Sequence, residues 1–336
     1  MKLPPRGCAH DALRKSIRIY RERVNHAKPS QFLLANRKTK LKASVAEGSL
    51  ADDAARLVAG RALIDQLLAH HERTKHKDYR HFLVTFCWDA GILSVDAPFS
   101  YSLRAMSIRV YRALNKAGLS GICVFEIVGL RKTKRNAERL IIHIHAVCWT
   151  RDKSFKPVVT AKKLSARFPN SLGAPSVSIQ SRKMAATRFR DKKSPTVKRL
   201  FSKLHRDQTK ASMAWLGYYL FQAPAWVKQL VPKKEREDKL AMRSNSKNYS
   251  PQLALALDIL LSEIKVVDAV FSVGDGKQVT GPWRTQYHKA SATLEKTKLE
   301  TRKTKSAKGR CSKAAVRKRR ARLNKRLGLR NISFPF

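Results

Sequence analysis

The sequence predicts an α+β fold, a split β-α-β antiparallel sheet of ferredoxin-like order with extra helices and basic tails. Two observations predict it. Between about residues 80 and 221, apolar runs of strand character alternate with amphipathic helical stretches in the order β-α-β-β-α-β-α. The two central runs are separated only by a turn rich in Lys and Arg, as in a long hairpin. In such a fold the helices are expected on one face of the sheet, leaving the other free for a substrate.

Residues 1–48 are basic, with Pro4-Pro5 and Lys28-Pro29, and read as an arm holding at most a short helix. From Asp52 to His71, Ala55, Leu57, Val58, Leu63, Ile64, Leu67 and Leu68 recur at helical spacing. Ser49 and Asp52 offer N-caps for this leading helix. His81–Trp88 is a predicted strand. Ser102–Lys116 is a helix that Gly118 ends. Ile122–Val128 and Arg139–Trp149 are the hairpin strands around the basic turn Gly129–Ala137. Thr160–Phe168 is a short helix, Ser176–Ile179 a strand and Ala211–Phe221 an aromatic-rich helix. Gln180–Asp207 reads as a basic insertion over the site, and Gln252–Ile264 as a satellite helix. The chain then divides into an arm (1–48), a main domain (49–225), an accessory helical segment (226–288) and a tail (289–336). Residues 296–330 carry sixteen Lys/Arg against one acid, Glu300, a composition of disordered chain that grips a polyanion backbone.

The formal net charge of +47, from 71 Lys+Arg and 24 Asp+Glu, points to DNA or RNA as partner. No run of 18 apolar residues and no signal-peptide core occurs, so a membrane partner is not expected. The five cysteines form no C-x-x-C pair and read as free thiols of a reducing cytosol.

The chemistry concentrates in Leu140-Ile141-Ile142-His143-Ile144-His145. Residues i and i+2 of a strand share a face, so His143 and His145 project side by side. If the hairpin turns near Lys134-Arg135, positions summing to about 269 are opposed and Glu126 faces His143. Two imidazoles and a carboxylate would hold Mg²⁺ or Mn²⁺, with open positions for phosphate oxygens. Glu138 is the fallback acid. A His-x-His pair on an amphipathic strand is, by itself, more often only a polar face touching water or a neighbour. Downstream, Trp215-Leu216-Gly217-Tyr218-Tyr219-Leu220-Phe221-Gln222 offers two tyrosines about 100° apart on a helix. One would be a nucleophile toward phosphorus and the other would pack. His70, His71 and His76 read as solvated or capping residues, and Trp88 and Trp149 as core.

His143-Ile144-His145 resembles the His-hydrophobic-His motif of the HUH endonucleases, which include rolling-circle replication initiators, relaxases and some transposases. The strand Phe82-Leu83-Val84-Thr85-Phe86 is similar to the initiators' first motif, and the tyrosine helix follows the histidines as it does in them. The resemblance spans about residues 78–225. It implies nicking of one DNA strand at an origin, with His143, His145 and Glu126 holding the metal. Tyr219 (or else Tyr218) becomes joined to the 5′ phosphate, and a host polymerase extends the freed 3′ end. It also implies a plasmid- or phage-associated protein of the bacterial cytoplasm. Two features depart from the pattern. Gln222 stands where the Tyr-x-x-Lys motif has lysine, and the stretch between the histidines and the tyrosines is long and basic. Gly274-Asp275-Gly276-Lys277 lacks phosphate-loop spacing, so unwinding would fall to a host helicase. A transposase using the same site, and a non-catalytic nucleic-acid-binding protein, are the alternatives.

Overall fold

The computed structural model describes residues 5–26, 47–98, 100–131, 137–181, 208–224, 227–233, 236–244, 249–293 and 295–296. It is a mixed α+β chain. The elements in order are α1 (Pro5–His26), α2 (Asp53–Thr74), β1 (Arg80–Phe86), β2 (Ile92–Ser94), α3 (Leu103–Lys116), β3 (Ser120–Leu130), β4 (Arg139–Thr150), α4 (Pro157–Ser165), β5 (Val177–Ser181) and α5 (Gln208–Phe221). After these come β6 (Lys228–Lys233), β7 (Arg236–Ser244), α6 (Pro251–Glu263), β8 (Val270–Val273) and a helix α7 opening at Lys277. Met1–Tyr287 forms one compact unit and His288–Phe336 a second. Of the second, residues 288–293 and 295–296 are described, all helical.

Local signals fix several boundaries. Asp52 caps α2 by accepting from the Ala54 and Ala55 amides. Ser102 caps α3 through the Ala105 amide, and Gly118 takes φ +68° two residues past the helix. Helix α4 lies three residues earlier than its apolar pattern suggests, because Pro157 starts it at the first turn.

One sheet runs in the order β5-β1-β4-β3-β6-β7, with β2 also on β4 and β8 also on β3. The first four strands of that path are antiparallel neighbours, which is the expected split β-α-β order. Beyond β3 the sheet turns mixed, since β6 pairs in parallel at Leu130↔Lys228. The β3–β4 register is Glu126↔His143, with every pair summing to 269, as the sequence predicts.

Four expectations are corrected. The N-terminal arm contains a 22-residue helix, α1, whose Ala9, Leu13, Ile17 and Tyr20 are core residues. The accessory segment 226–288 holds strands β6, β7 and β8 besides its helix. The sheet is covered on both faces. On the histidine face, Trp149 and His145 meet His70 of α2 and Tyr219 of α5. On the opposite face, Phe82 and Phe86 meet Phe155 and Phe168, which flank α4, and Arg109 of α3 lies over Phe168. Finally, His70 and His71 are buried rather than solvated. The insertion lies outside the described residues from 182 to 207, as do the tail from 297 onward and the turn 132–136.

No helix among the described residues is long and apolar enough to cross a membrane. Cys87, Cys123 and Cys148 are free and buried.

Candidate metal centre

Strand β4 is the middle of the sheet, paired with β3 over residues 139–149 and, on its other edge, with β2 over 139–141 and β1 over 144–150. It therefore has little freedom, and its alternation sets His143 and His145 on one face. Glu126 arrives on the same face from β3, directly opposite His143. Thr85 arrives from β1, directly opposite His145. A small apolar cluster of Ile141, Val128, Leu130 and Leu230 lies toward one end of this face. Val147 and Trp149 continue β4 on the other side, so the group sits between dry neighbours.

The three ligand atoms converge on one point. Glu126 Oε2 is 2.8 Å from His143 Nε2 and 2.7 Å from His145 Nε2, and the two Nε2 atoms are 2.9 Å apart. Glu126, His143 and His145 are 6%, 5% and 3% exposed. Around an octahedral divalent ion with bonds of about 2.1 Å, adjacent ligands lie about 3 Å apart, so these spacings suit three ligands on one face. The donor set is two imidazoles and one carboxylate, which suits a first-row divalent ion with open positions. Among the described residues this is the one His/Cys/Asp/Glu group close enough to hold a metal.

The electrostatics agree. Burial pushes the His145 imidazole down to about 4, helped by the charge of His143, so at neutral pH it is uncharged and its lone pair is free to ligate. Burial alone would raise the Glu126 carboxyl, but His143 and the two imidazole hydrogen bonds hold it well below the usual carboxylate range. Thr85 Oγ1 lies 2.9 Å from His145 Nδ1, the outer-shell contact that turns Nε2 toward an ion. His143 Nδ1 is buried without a hydrogen-bond partner among the described residues. Lys228, at the start of β6, adds a positive charge that His145 feels.

Both tyrosines sit on α5, which packs on α2 and crosses β3 and β4. The Tyr219 ring lies 4.7 Å from that of His145 and stacks on Trp215 at 5.0 Å. Tyr218 is partly exposed, and burial together with the Glu126 charge pushes its phenol up to about 12. Thus Glu126, His143, His145 and Tyr219 are brought together, and Tyr218 stands within reach of the Glu126 charge. Glu138 is elsewhere: it accepts from Ser250, the N-cap of α6, at 2.7 Å. Comparison with protein-family models, curated proteins and solved structures returns no match.

A second histidine bears on stability. Burial, helped by Arg73, pushes His70 down to about 4. With two imidazoles near 4 when folded and about 6.5 when unfolded, the unfolded chain takes up more protons as pH falls from 6.5 to 4. The metal-free protein is therefore expected to lose about 1–2 kcal/mol per histidine between pH 7 and 5. In His70→Phe, which keeps the ring contact with Trp149, about half of that loss should vanish. Urea unfolding midpoints at the two pH values measure it, and an unchanged difference would show that His70 does not titrate this way.

Proposed function

We propose that this chain is a metal-dependent endonuclease and strand transferase of single-stranded DNA, built on an HUH-type nickase fold, that starts rolling-circle replication at an origin. The observation that carries the reading is the Tyr219 ring 4.7 Å from His145, itself one corner of the buried Glu126–His143–His145 group. A tyrosine beside a three-ligand metal group, in a chain of net charge +47, fits attack on a phosphodiester.

Glu126, His143 and His145 would hold Mg²⁺ or Mn²⁺, whose contribution when bound is to polarise the scissile phosphate. The chain supplies the rest. The Tyr219 oxygen forms a bond to phosphorus as the bond to the 3′ oxygen breaks. The phenol loses its proton, and the departing 3′ oxygen gains one. The 5′ phosphate remains on Tyr219. One phosphodiester is exchanged for another, so rejoining runs the same path in reverse. The free 3′ hydroxyl is then a primer for a host polymerase, with a host helicase opening the duplex.

The test mixes the protein with single-stranded origin oligonucleotide and Mn²⁺ and resolves the products on a denaturing gel. A covalent adduct is expected that disappears in Tyr219→Phe and with EDTA. Loss in Tyr218→Phe alone would move the nucleophile by one residue. Salt-sensitive binding with no adduct on any origin strand would reduce the chain to a nucleic-acid-binding protein.

A further inference from the structure

Trp215, Leu216, Leu220 and Phe221 seat the tyrosine helix in the core, but its sequence offers nothing to hold its C-terminal end. Its last turn carries no basic residue to meet the negative end of the helix dipole. Its final carbonyls need donors from elsewhere. Arg56, on α2 and only 5% exposed, reaches that end. Its Nη1 donates to the Gln222 carbonyl at 3.4 Å, while Nε and Nη2 donate to the Leu50 carbonyl at 2.9 and 2.6 Å. One residue on, the Ala223 amide donates to Ser16 Oγ of α1 at 3.2 Å. Two glycines let the three helices approach closely. A Cβ on Gly217 would meet Ile64 Cα at 3.0 Å, and one on Gly60 would meet Leu13 at 2.4 Å and Phe221 at 3.0 Å. At the far end of α5, Lys210 is paired with Glu72 at 2.8 Å.

We propose that Arg56 is a positioning residue: it clamps the C-terminal end of the tyrosine helix and so sets the placement of Tyr219 against the Glu126–His143–His145 group. Its effect on strand cleavage rests on the function proposed above; its effect on Tyr219 does not. The guanidinium fork matters as well as the charge, since one group must serve the Leu50 and Gln222 carbonyls together. The helix pair α1–α2 is then part of the reactive unit rather than an accessory to DNA binding. A misplacement of about 1 Å costs about 100-fold in rate. Arg56→Met is accordingly expected to lower the single-turnover rate of adduct formation about 100-fold while Mn²⁺ and oligonucleotide affinities stay close to wild type. Arg56→Lys, which keeps the charge and loses the fork, should fall between them.

A readout independent of cleavage uses the full chain labelled with 3-fluorotyrosine. Tyr219→Phe assigns the Tyr219 fluorine resonance, and stoichiometric Mn²⁺ should broaden it in the wild type. In Arg56→Met, with circular dichroism unchanged, that broadening should weaken severalfold. If Arg56→Met does not fold, the same comparison with Arg56→Lys decides. Unchanged Tyr219 broadening in the folded variant overturns the proposal, as does a wild-type resonance that Mn²⁺ leaves sharp. If the wild type shows the broadening but never forms an adduct, the nicking function fails while the placement by Arg56 is still decided.

Discussion

Glu126→Gln is expected to weaken Mn²⁺ binding by at least about 100-fold, more than the loss of an outer-shell partner costs. The amide keeps the volume of the carboxylate and a hydrogen-bonding oxygen but removes the negative charge. The fold should survive, because the strand pairing around Glu126↔His143 is made by the backbone. What disappears is the ion's linkage to stability. Wild-type protein should melt at a higher temperature with Mn²⁺, since an ion that binds only the folded state stabilises it by mass action. EDTA should reverse that rise, and the Gln variant should not show it. Titration calorimetry measures the affinity and thermal melts the linkage. Wild-type affinity in Glu126→Gln would place the ion elsewhere.

The second large effect comes from a residue that touches no ligand. Gly91 lies against β4, and a Cβ there would sit 1.9 Å from the Ile142 carbonyl oxygen and 3.2 Å from Met106 Cε. Backbone cannot yield as a flexible side chain does, so β4 must shift at the residue before His143. Gly91→Ala is expected to cost about 3 kcal/mol of stability, at the upper end of ordinary overpacking. Mn²⁺ affinity should fall with it, about tenfold, because the displaced segment carries a ligand. Gly281→Ala is the control: nothing lies within 4 Å of its Cβ, and it sits in helix α7. That change should be neutral or gain up to about 1 kcal/mol. Denaturant unfolding of the two variants, with Mn²⁺ titrations, tests both. Equal stability would mean that the approach at Gly91 relaxes freely.

The centre was legible because it depends on short-range rules. Alternation places His143 and His145 together, and the basic turn sets a register that puts Glu126 opposite. The tyrosine helix was legible from its own apolar run. What lay around it was not. The stripe Ala9, Ala12, Leu13, Ile17, Tyr20 has helical spacing, but its small residues and the basic residues between them resemble a solvated arm. Strands β6 and β7 are rich in Lys and Arg and interrupted by Pro232, so they lack an alternating apolar signal. Helix periodicity tells which side of a helix is apolar but not which face of the sheet it will cover, hence the expectation of an open face. Arg56 was visible only as a cation beside Ala55, Ala59 and Leu63. That interruption of a core stripe implies a partner without naming one.

The outer edge of β3 is closed by parts of the chain that follow the tyrosines. Residues 121–124 pair with β8, and Leu130 pairs with Lys228. A fragment ending at 225 keeps Glu126, both histidines and both tyrosines, yet strips that edge of its partners. An unpaired edge is a template for other chains to add to. The length of chain that holds the candidate ligands and tyrosines and the length that covers the edge of β3 are therefore different, and a fragment ending at 225 would need a substitute cover for that edge.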